Sequence, residues 1–304
     1  MNGSPVRLGL IGAGRWGRNI IRTIGEGRRA VLARVASSNP ETSRLVPPDC
    51  AVDREWRGLV DDPTLDGVVL AVPPRLQPTM ACAAIEAGRP AMVEKPLALT
   101  VAEAETIERR ARDARVPVLV DHVYLFHPAW VELVRRSRVA ARLRRIRAIG
   151  GSLGPFRDDF PVLWDWAPHD LAMCIDLIGA PPDRAAARRV RVARTAQGAG
   201  EIYALDLGFG GVRAEIEIGN VMPSRARSFE ATFDGTTLFF DDTADDPLTQ
   251  DGAPIPIVAR PPLACAIDAF IDCIRSRAAS HPSLALGVEV VRTIARCESL
   301  AAAI

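Results

Sequence analysis

Gly12-Ala13-Gly14-Arg15-Trp16-Gly17 reads G-x-G-x-x-G, and what flanks it decides the fold. Residues 6–11 before it are a continuous apolar run of strand type, while Trp16, Ile20 and Ile24 after it recur at helical spacing until Gly25 and Gly27 stop the pattern. A glycine loop between a strand and a helix is the dinucleotide-binding fingerprint. The first glycine permits the tight turn, the second lets backbone approach a pyrophosphate, and the third lets helix pack on strand. The helix amino terminus then offers unpaired N–H groups to the anion. Gly12, Gly14, Arg15, Trp16 and Gly17 are therefore candidate cofactor-binding residues.

Outward from this loop, apolar runs alternate with helical patterns as far as residue 121. Strands are expected at 31–36, at 68–72 before Pro73-Pro74, at 91–93 leading into Glu94-Lys95-Pro96, and at 117–120. Such alternation predicts an α/β fold, here a doubly wound parallel sheet of Rossmann type over residues 1–121. Beyond Asp121 the apolar residues alternate with polar ones. Tyr203, Leu205, Leu207 and Phe209 face one way, Ala214, Ile216 and Ile218 follow Gly210-Gly211, and Phe229, Ala231 and Phe233 lead through Asp234-Gly235 to a returning strand. Residues 122–304 are expected to form an α+β domain with an open, mostly antiparallel sheet, serving substrate binding and oligomerisation. Two amphipathic helices are expected near the carboxyl terminus, over 267–274 and 284–295.

Composition narrows the function classes. The chain has 304 residues, 38 Lys+Arg against 37 Asp+Glu, and 48% hydrophobic content. A chain of this length buries roughly 75% of its unfolded surface, enough for two cores. A net charge of +1 provides no field to attract a polyanion, so nucleic acid is not an expected partner. No apolar run approaches a membrane span, and Met1 to Pro5 carry no signal-peptide pattern, so a cytoplasmic location is expected. The six cysteines include no C-x-x-C pair and no histidine at ligand spacing, so neither a metal site nor a disulfide framework is expected.

Lys95 is the only lysine among 38 basic residues. A bias so strong toward arginine suggests that lysine persists where a compact, titratable ammonium is needed, which a guanidinium cannot supply. The run from Arg135 to Arg147 carries seven arginines in thirteen residues and reads as a solvated helix face, with phosphate binding as the alternative.

At the end of the second strand, where NAD-binding versions place a carboxylate on the ribose diol, the chain has Ser37-Ser38-Asn39. No carboxylate stands there to repel a 2′-phosphate. Ser37 and Ser38 offer hydroxyls and Arg44 is a candidate cation, so the cofactor is expected to be NADP or NAD, with NADP slightly preferred.

Four segments together make the chain resemble the Gfo/Idh/MocA family of NAD(P)-dependent oxidoreductases over nearly its whole length: residues 12–17, Ala71-Val72-Pro73-Pro74, Glu94-Lys95-Pro96, and Trp164-Asp165-Trp166-Ala167-Pro168-His169-Asp170. The resemblance implies that Ala71, Val72, Pro73, Pro74, Gln77, Glu94 and Lys95 border the nicotinamide, and that Lys95, Asp165 and His169 meet the substrate. Gln77 stands where many members have His, and Ala167 where many have Gly. Residues 124–128 and 163–170 look most like members that act on nucleotide sugars and surface glycans.

The chemistry agrees with these roles. Oxidising a secondary alcohol by hydride transfer releases the hydroxyl proton, so a site needs a base and a cation where alkoxide charge develops. Imidazole, with a reference pKa of about 6.5, suits the proton. Pro168 fits the first position of a helix, which would put His169 in the first turn and Asp165 just before it. His122 and His127 are open to either packing or site roles, and His281 is expected in an exposed turn. The expected function is hydride transfer between nicotinamide and a secondary alcohol or ketone of a sugar or nucleotide sugar, in a homodimer or homotetramer. The alternatives are an NAD-dependent glycosidase of the same fold, which product analysis without added cofactor would distinguish, and a catalytically inactive dinucleotide-binding regulator.

Overall fold

The computed structural model describes residues 4–157, 161–196, 198–277 and 280–302. Met1 to Gly3, where the lead-in to the first strand was read, lie outside them. The chain forms two compact units, one of Met1–His122 with Pro261–Val288 and the other of Val123–Arg260 with Glu289–Ile304.

The first unit runs β1 (Val6–Ile11), α1 (Arg15–Glu26), β2 (Ala30–Ala36), β3 (Ala51–Asp53), α2 (Arg57–Val60), β4 (Gly67–Leu70), α3 (Gln77–Glu86), β5 (Ala91–Glu94), α4 (Val101–Ala114) and β6 (Val118–Asp121). Its six strands are parallel, in the order β3-β2-β1-β4-β5-β6. This is the Rossmann order, and it reverses direction between β1 and β4, the position at which such sheets bind ligands. All four residues of β4 and of β6 are buried. Strands covered on both faces have no polar side to alternate with, which is why they read as unbroken apolar runs.

The second unit contains α5 (Pro128–Ser137), β7 (Leu143–Leu153), α6 (Val162–Ile178), β8 (Arg184–Thr195), β9 (Gly198–Phe209), β10 (Val212–Gly219), β11 (Val221–Phe233), β12 (Thr236–Asp241), β13 (Leu248–Gln250) and β14 (Ala253–Pro254). The eight strands lie in the order β14-β13-β12-β11-β7-β10-β9-β8. Only β7 and β10 pair in parallel; the other neighbours are antiparallel. One face is apolar: Leu205, Leu207, Ile216, Phe229 and Phe240 are buried beneath α5 and α6. Trp130 of α5, itself fully buried, meets the Phe229 ring edge to face at 4.9 Å.

The arginine run is not a helix face. Arg135 and Arg136 end α5 and bond Glu132, but Arg144, Arg145 and Arg147 lie on β7, a central strand. There Arg145 and Arg147 point outward while Ile146 and Ala148 are buried, an alternation of period two that the density of charge obscured.

Helix α7 (Pro262–Ser276) returns to the first unit, where it packs on α1. A Cβ at Gly67 would stand 2.9 Å from Ile274 Cδ1 and 3.0 Å from Phe270 Cζ, so the start of β4 is shaped to seat this helix. Arg29 adds ion pairs to Asp268, at 3.2 Å, and to Asp272. Helix α8 (Ser283–Ala302) then begins beside β6, where Ser283 Oγ accepts from the Val120 N–H. His281, expected in an exposed turn, is half-buried and caps this helix: its Nδ1 accepts from the Ser283 N–H at 3.2 Å, and burial lowers its pKa. Among the described residues no helix is long and apolar enough to cross a membrane.

Candidate active site

In the first unit the glycine loop leaves the end of β1. Gly12 has φ +99°, and a Cβ there would overlap the Ala71 carbonyl oxygen. A Cβ on Gly17 would overlap the carbonyl oxygen of Gly12, so α1 meets the loop backbone to backbone. Gly14 differs, with nothing within 4 Å of its Cβ position. The loop is thus closed toward the protein and bare at Gly14. The first turn of α1 carries no acidic residue and no side chain caps it. Its N–H groups and the positive end of the helix dipole therefore suit a phosphate. These features fit a dinucleotide pyrophosphate, and Ala71 to Pro74 follow β4 on the other side of the switch point.

At the end of β2, Ser37 Oγ accepts from the Asn39 N–H, and Asn39 Oδ1 accepts from Glu41 N–H. Ser38 is exposed, and Arg44 is exposed and paired with Glu41 at 2.6 Å. Gln77, fully buried, donates from Nε2 to the Pro96 carbonyl at 2.8 Å, so it buttresses the Glu94-Lys95-Pro96 segment from beneath.

Glu94 and Asp121 are register partners on β5 and β6, which turns both carboxyls the same way. Burial raises the pKa of each, Glu94 well above the usual carboxylate range, and each also feels the other. Two adjacent buried carboxyls cannot both ionise cheaply. The Lys95 ammonium is near enough to favour their charged forms and to disfavour protonation of His122. His122 is buried, and burial holds its ring neutral, with a pKa pushed down to about 3. A buried, neutral ring fits packing better than proton exchange.

In the second unit Asp165, Trp166 and His169 are partly exposed on α6, while Leu163, Trp164, Ala167, Pro168 and Asp170 are buried. Spacings of three and four place the first three on one face. The helix starts six residues earlier than Pro168: Pro161 is its N-cap, and Asp165 rather than His169 is in the first turn. Pro168 sits in the interior, where it cannot donate to the Trp164 carbonyl. Asp165 Oδ2 lies 3.2 Å from Arg157 Nε. His169 meets the Tyr124 ring edge to face at 5.0 Å, with an interplanar angle of 88°. Asp170 points away into the core and binds the buried Arg227 at 2.5 Å. His127 caps α5, its Nδ1 accepting from the Ala129 N–H, and its Nε2 stands 3.6 Å from Asp242.

Residues 6–122 match the Gfo/Idh/MocA family model, an oxidoreductase family with an NAD-binding Rossmann fold. A solved structure of a provisionally named oxidoreductase from Magnetospirillum magnetotacticum MS-1 is 37% identical, covers 97% of this chain and 100% of its own, and superposes with a TM-score of 0.90. The chain belongs to the Gfo/Idh/MocA oxidoreductase family. Among curated relatives, a scyllo-inositol 2-dehydrogenase (NADP+) of Bacillus subtilis (strain 168) is 23% identical over 66% of this chain and 58% of its own. A UDP-N-acetylglucosamine 3-dehydrogenase of Acidithiobacillus ferrooxidans is 28% identical over 58% of this chain and 56% of its own. The chain spans about half the length of the curated relatives it matches.

Three residues around these positions were given no site role from the sequence, although Tyr124 falls within the 124–128 segment quoted for the resemblance. Arg227 lies 57 positions from Asp170, and Tyr124 lies 45 from His169, separations at which nothing in the sequence pairs them. Arg157 lies in a loop after β7, with no periodicity to place it. Asp121 was read only as the end of the first domain, although its position at a strand end, one strand from Glu94, could have marked the carboxyl pair.

Proposed function

We propose that the protein exchanges a hydride between a nicotinamide dinucleotide and a secondary alcohol or ketone carbon on a polyhydroxylated ring, either a sugar, a cyclic polyol or a nucleotide sugar. The observation that carries this reading is the glycine loop, closed on the protein side and bare at Gly14, at the switch point of a sheet in Rossmann order. The named activities of the two curated relatives, on an inositol and on a nucleotide sugar, support the substrate class. The dinucleotide, when bound, supplies the hydride acceptor or donor. Gly12, Gly14, Arg15, Trp16 and Gly17 hold its pyrophosphate side, and Ala71 to Pro74 with Glu94 border its nicotinamide. Lys95 stabilises negative charge on the substrate oxygen, and His169, with Asp165 one turn away on the same helix face, takes or returns the hydroxyl proton. A screen of polyols, sugars and nucleotide sugars for reduction of NAD or NADP, followed by absorbance, tests the reading. Product release without net cofactor turnover would instead favour a glycosidase, an outcome that no feature among the described residues favours.

NADP is expected to bind more tightly than NAD. Residues 37–39 include no carboxylate, and the Ser37 hydroxyl keeps its proton free to donate because it accepts from Asn39 N–H. The Arg44–Glu41 pair is exposed and worth little, so Arg44 is available to a phosphate. One charge-assisted hydrogen bond contributes about 1.5–3 kcal/mol, roughly tenfold or more in affinity. Titrating both oxidised cofactors while following tryptophan fluorescence decides it, and tighter NAD binding would reject the preference.

A homo-oligomer is expected, formed through the outer face of the eight-stranded sheet. The apolar face is already covered by α5 and α6. The outer face carries rows of mixed charge, with Arg147 between Glu215 and Glu230 and Asp206 beyond Glu215, over an open groove of about 600 Å³. Rows with both signs can complement themselves across a two-fold axis. Light scattering at micromolar concentration should report a dimer or tetramer; a monomer would dispose of the interface.

A further inference from the structure

We infer that Arg227 is a positioning residue: its buried guanidinium fixes the Tyr124 ring, and Tyr124 in turn fixes the imidazole of His169. The inference rests on the reading of His169 as the proton-transfer group and extends it to residues to which no role has been given.

The geometry begins at Gly150 on β7, the register partner of Arg227 on β11. A Cβ at this position would stand 2.5 Å from Arg227 Nη1 and 2.6 Å from Asp170 Oδ2. The missing side chain leaves a niche into which the ion pair fits. Arg227 is 2% exposed and Asp170 0%, and the pair closes at 2.5 Å. Asp170 Oδ1 and the neighbouring Trp166 Nε1 are buried without a hydrogen-bond partner among the described residues, so this niche is not optimised for polar satisfaction.

A buried ion pair is a poor means of holding a fold together. Taking both ions out of water offsets most of their attraction, and a well-packed apolar pair is often as stable or more so. What the guanidinium adds is a flat, fixed, always-charged plate. Its Cζ lies 4.9 Å from the centroid of the Tyr124 ring and 5.9 Å from that of Trp166. Tyr124 then meets His169 at 5.0 Å and 88°. A line of contacts therefore runs from a central strand to a partly exposed imidazole, and each member has a defined plane. Aromatic rings in edge-to-face contact gain about 0.5–1.5 kcal/mol beyond burial, which is enough to select one ring orientation.

The test uses histidine-labelled full-length protein. It has four histidines, so a His169→Gln variant assigns the His169 ring-proton signals by their loss. Arg227→Lys keeps the charge opposite Asp170 but has no flat face. It should remove the ring-current displacement of the His169 signals and lower kcat by roughly tenfold at most, the rate equivalent of one such contact, with KM for the dinucleotide unchanged. Tyr124→Phe keeps the ring and should keep the displacement. If Arg227→Lys does not fold, the paired variant Arg227→Met with Asp170→Leu removes both charges at similar volume and should give the same loss. Undisturbed His169 signals in either Arg227 variant would overturn the inference. Lack of hydride transfer by the wild type would defeat the proposed function instead, while the spectra would still decide whether Arg227 positions His169.

Discussion

Replacing Lys95 with Met should slow turnover by about 10² to 10³, the usual effect of losing one stabilising group at a developing oxyanion. Met nearly matches the lysine stem in length and packs readily, so the loss is one of charge rather than shape. Dinucleotide affinity should barely change, because the glycine loop and the first turn of α1 are built without this side chain. The acid pair beneath will respond: Glu94 and Asp121 lose the nearby cation that favours their ionised forms, and a proton already favoured there by burial will be held more firmly. The arginine replacement is a useful companion, since it keeps a cation in a bulkier, non-titrating form. The measurement is steady-state kcat with fluorescence titration of the cofactor. A Lys95→Met enzyme with wild-type kcat would remove Lys95 from the chemistry.

His169→Ala should cost about 10² to 10⁴ in kcat, the range for a general acid or base, and Asp165→Asn should be comparably severe. If the two side chains act as a unit, the double variant will fall far short of the product of the single effects. Asp165 also holds Arg157 at 3.2 Å, so Asp165→Asn releases that guanidinium as well. An Arg157→Gln control separates the two contributions. Full additivity of Asp165→Asn with His169→Ala, or wild-type rates in either single variant, would count against the pairing.

The first unit was legible because strands buried on both faces, a helix stop at glycine and a three-glycine loop, in which Gly12 and Gly17 leave no room for a side chain, are all local signals. The short β3 was not marked, since three residues of which two are exposed make no apolar run. In the second unit the hairpins around Gly210-Gly211 and Asp234-Gly235 were visible from alternation and turn residues. Strands β7 and β8 were hidden by arginine, whose outward positions look alike in a charged helix and a charged strand until the buried Ile146, Ala148 and Ala187 are noticed. Helix α6 was started too late because proline is commonest in a first turn, yet here a helix buried along most of its length keeps Pro168 inside. The residues proposed for chemistry were found from short motifs. The groups that brace them, Tyr124 in a short helical turn, Arg227 on β11 and Gly150 on β7, lie far apart in the chain, and no local pattern joins them.

The return of α7 limits how this chain can be dissected. The family model ends at residue 122, but a gene cut there would not release the whole first unit. Such a fragment would lack Phe270 and Ile274, which occupy the space over Gly67, and Asp268 and Asp272, which neutralise Arg29. An apolar seat would be left open to water at the start of β4, one strand from the glycine loop. The amino-terminal part therefore depends on sequence synthesised about 140 residues later, and during translation it stays incompletely covered until α7 has emerged.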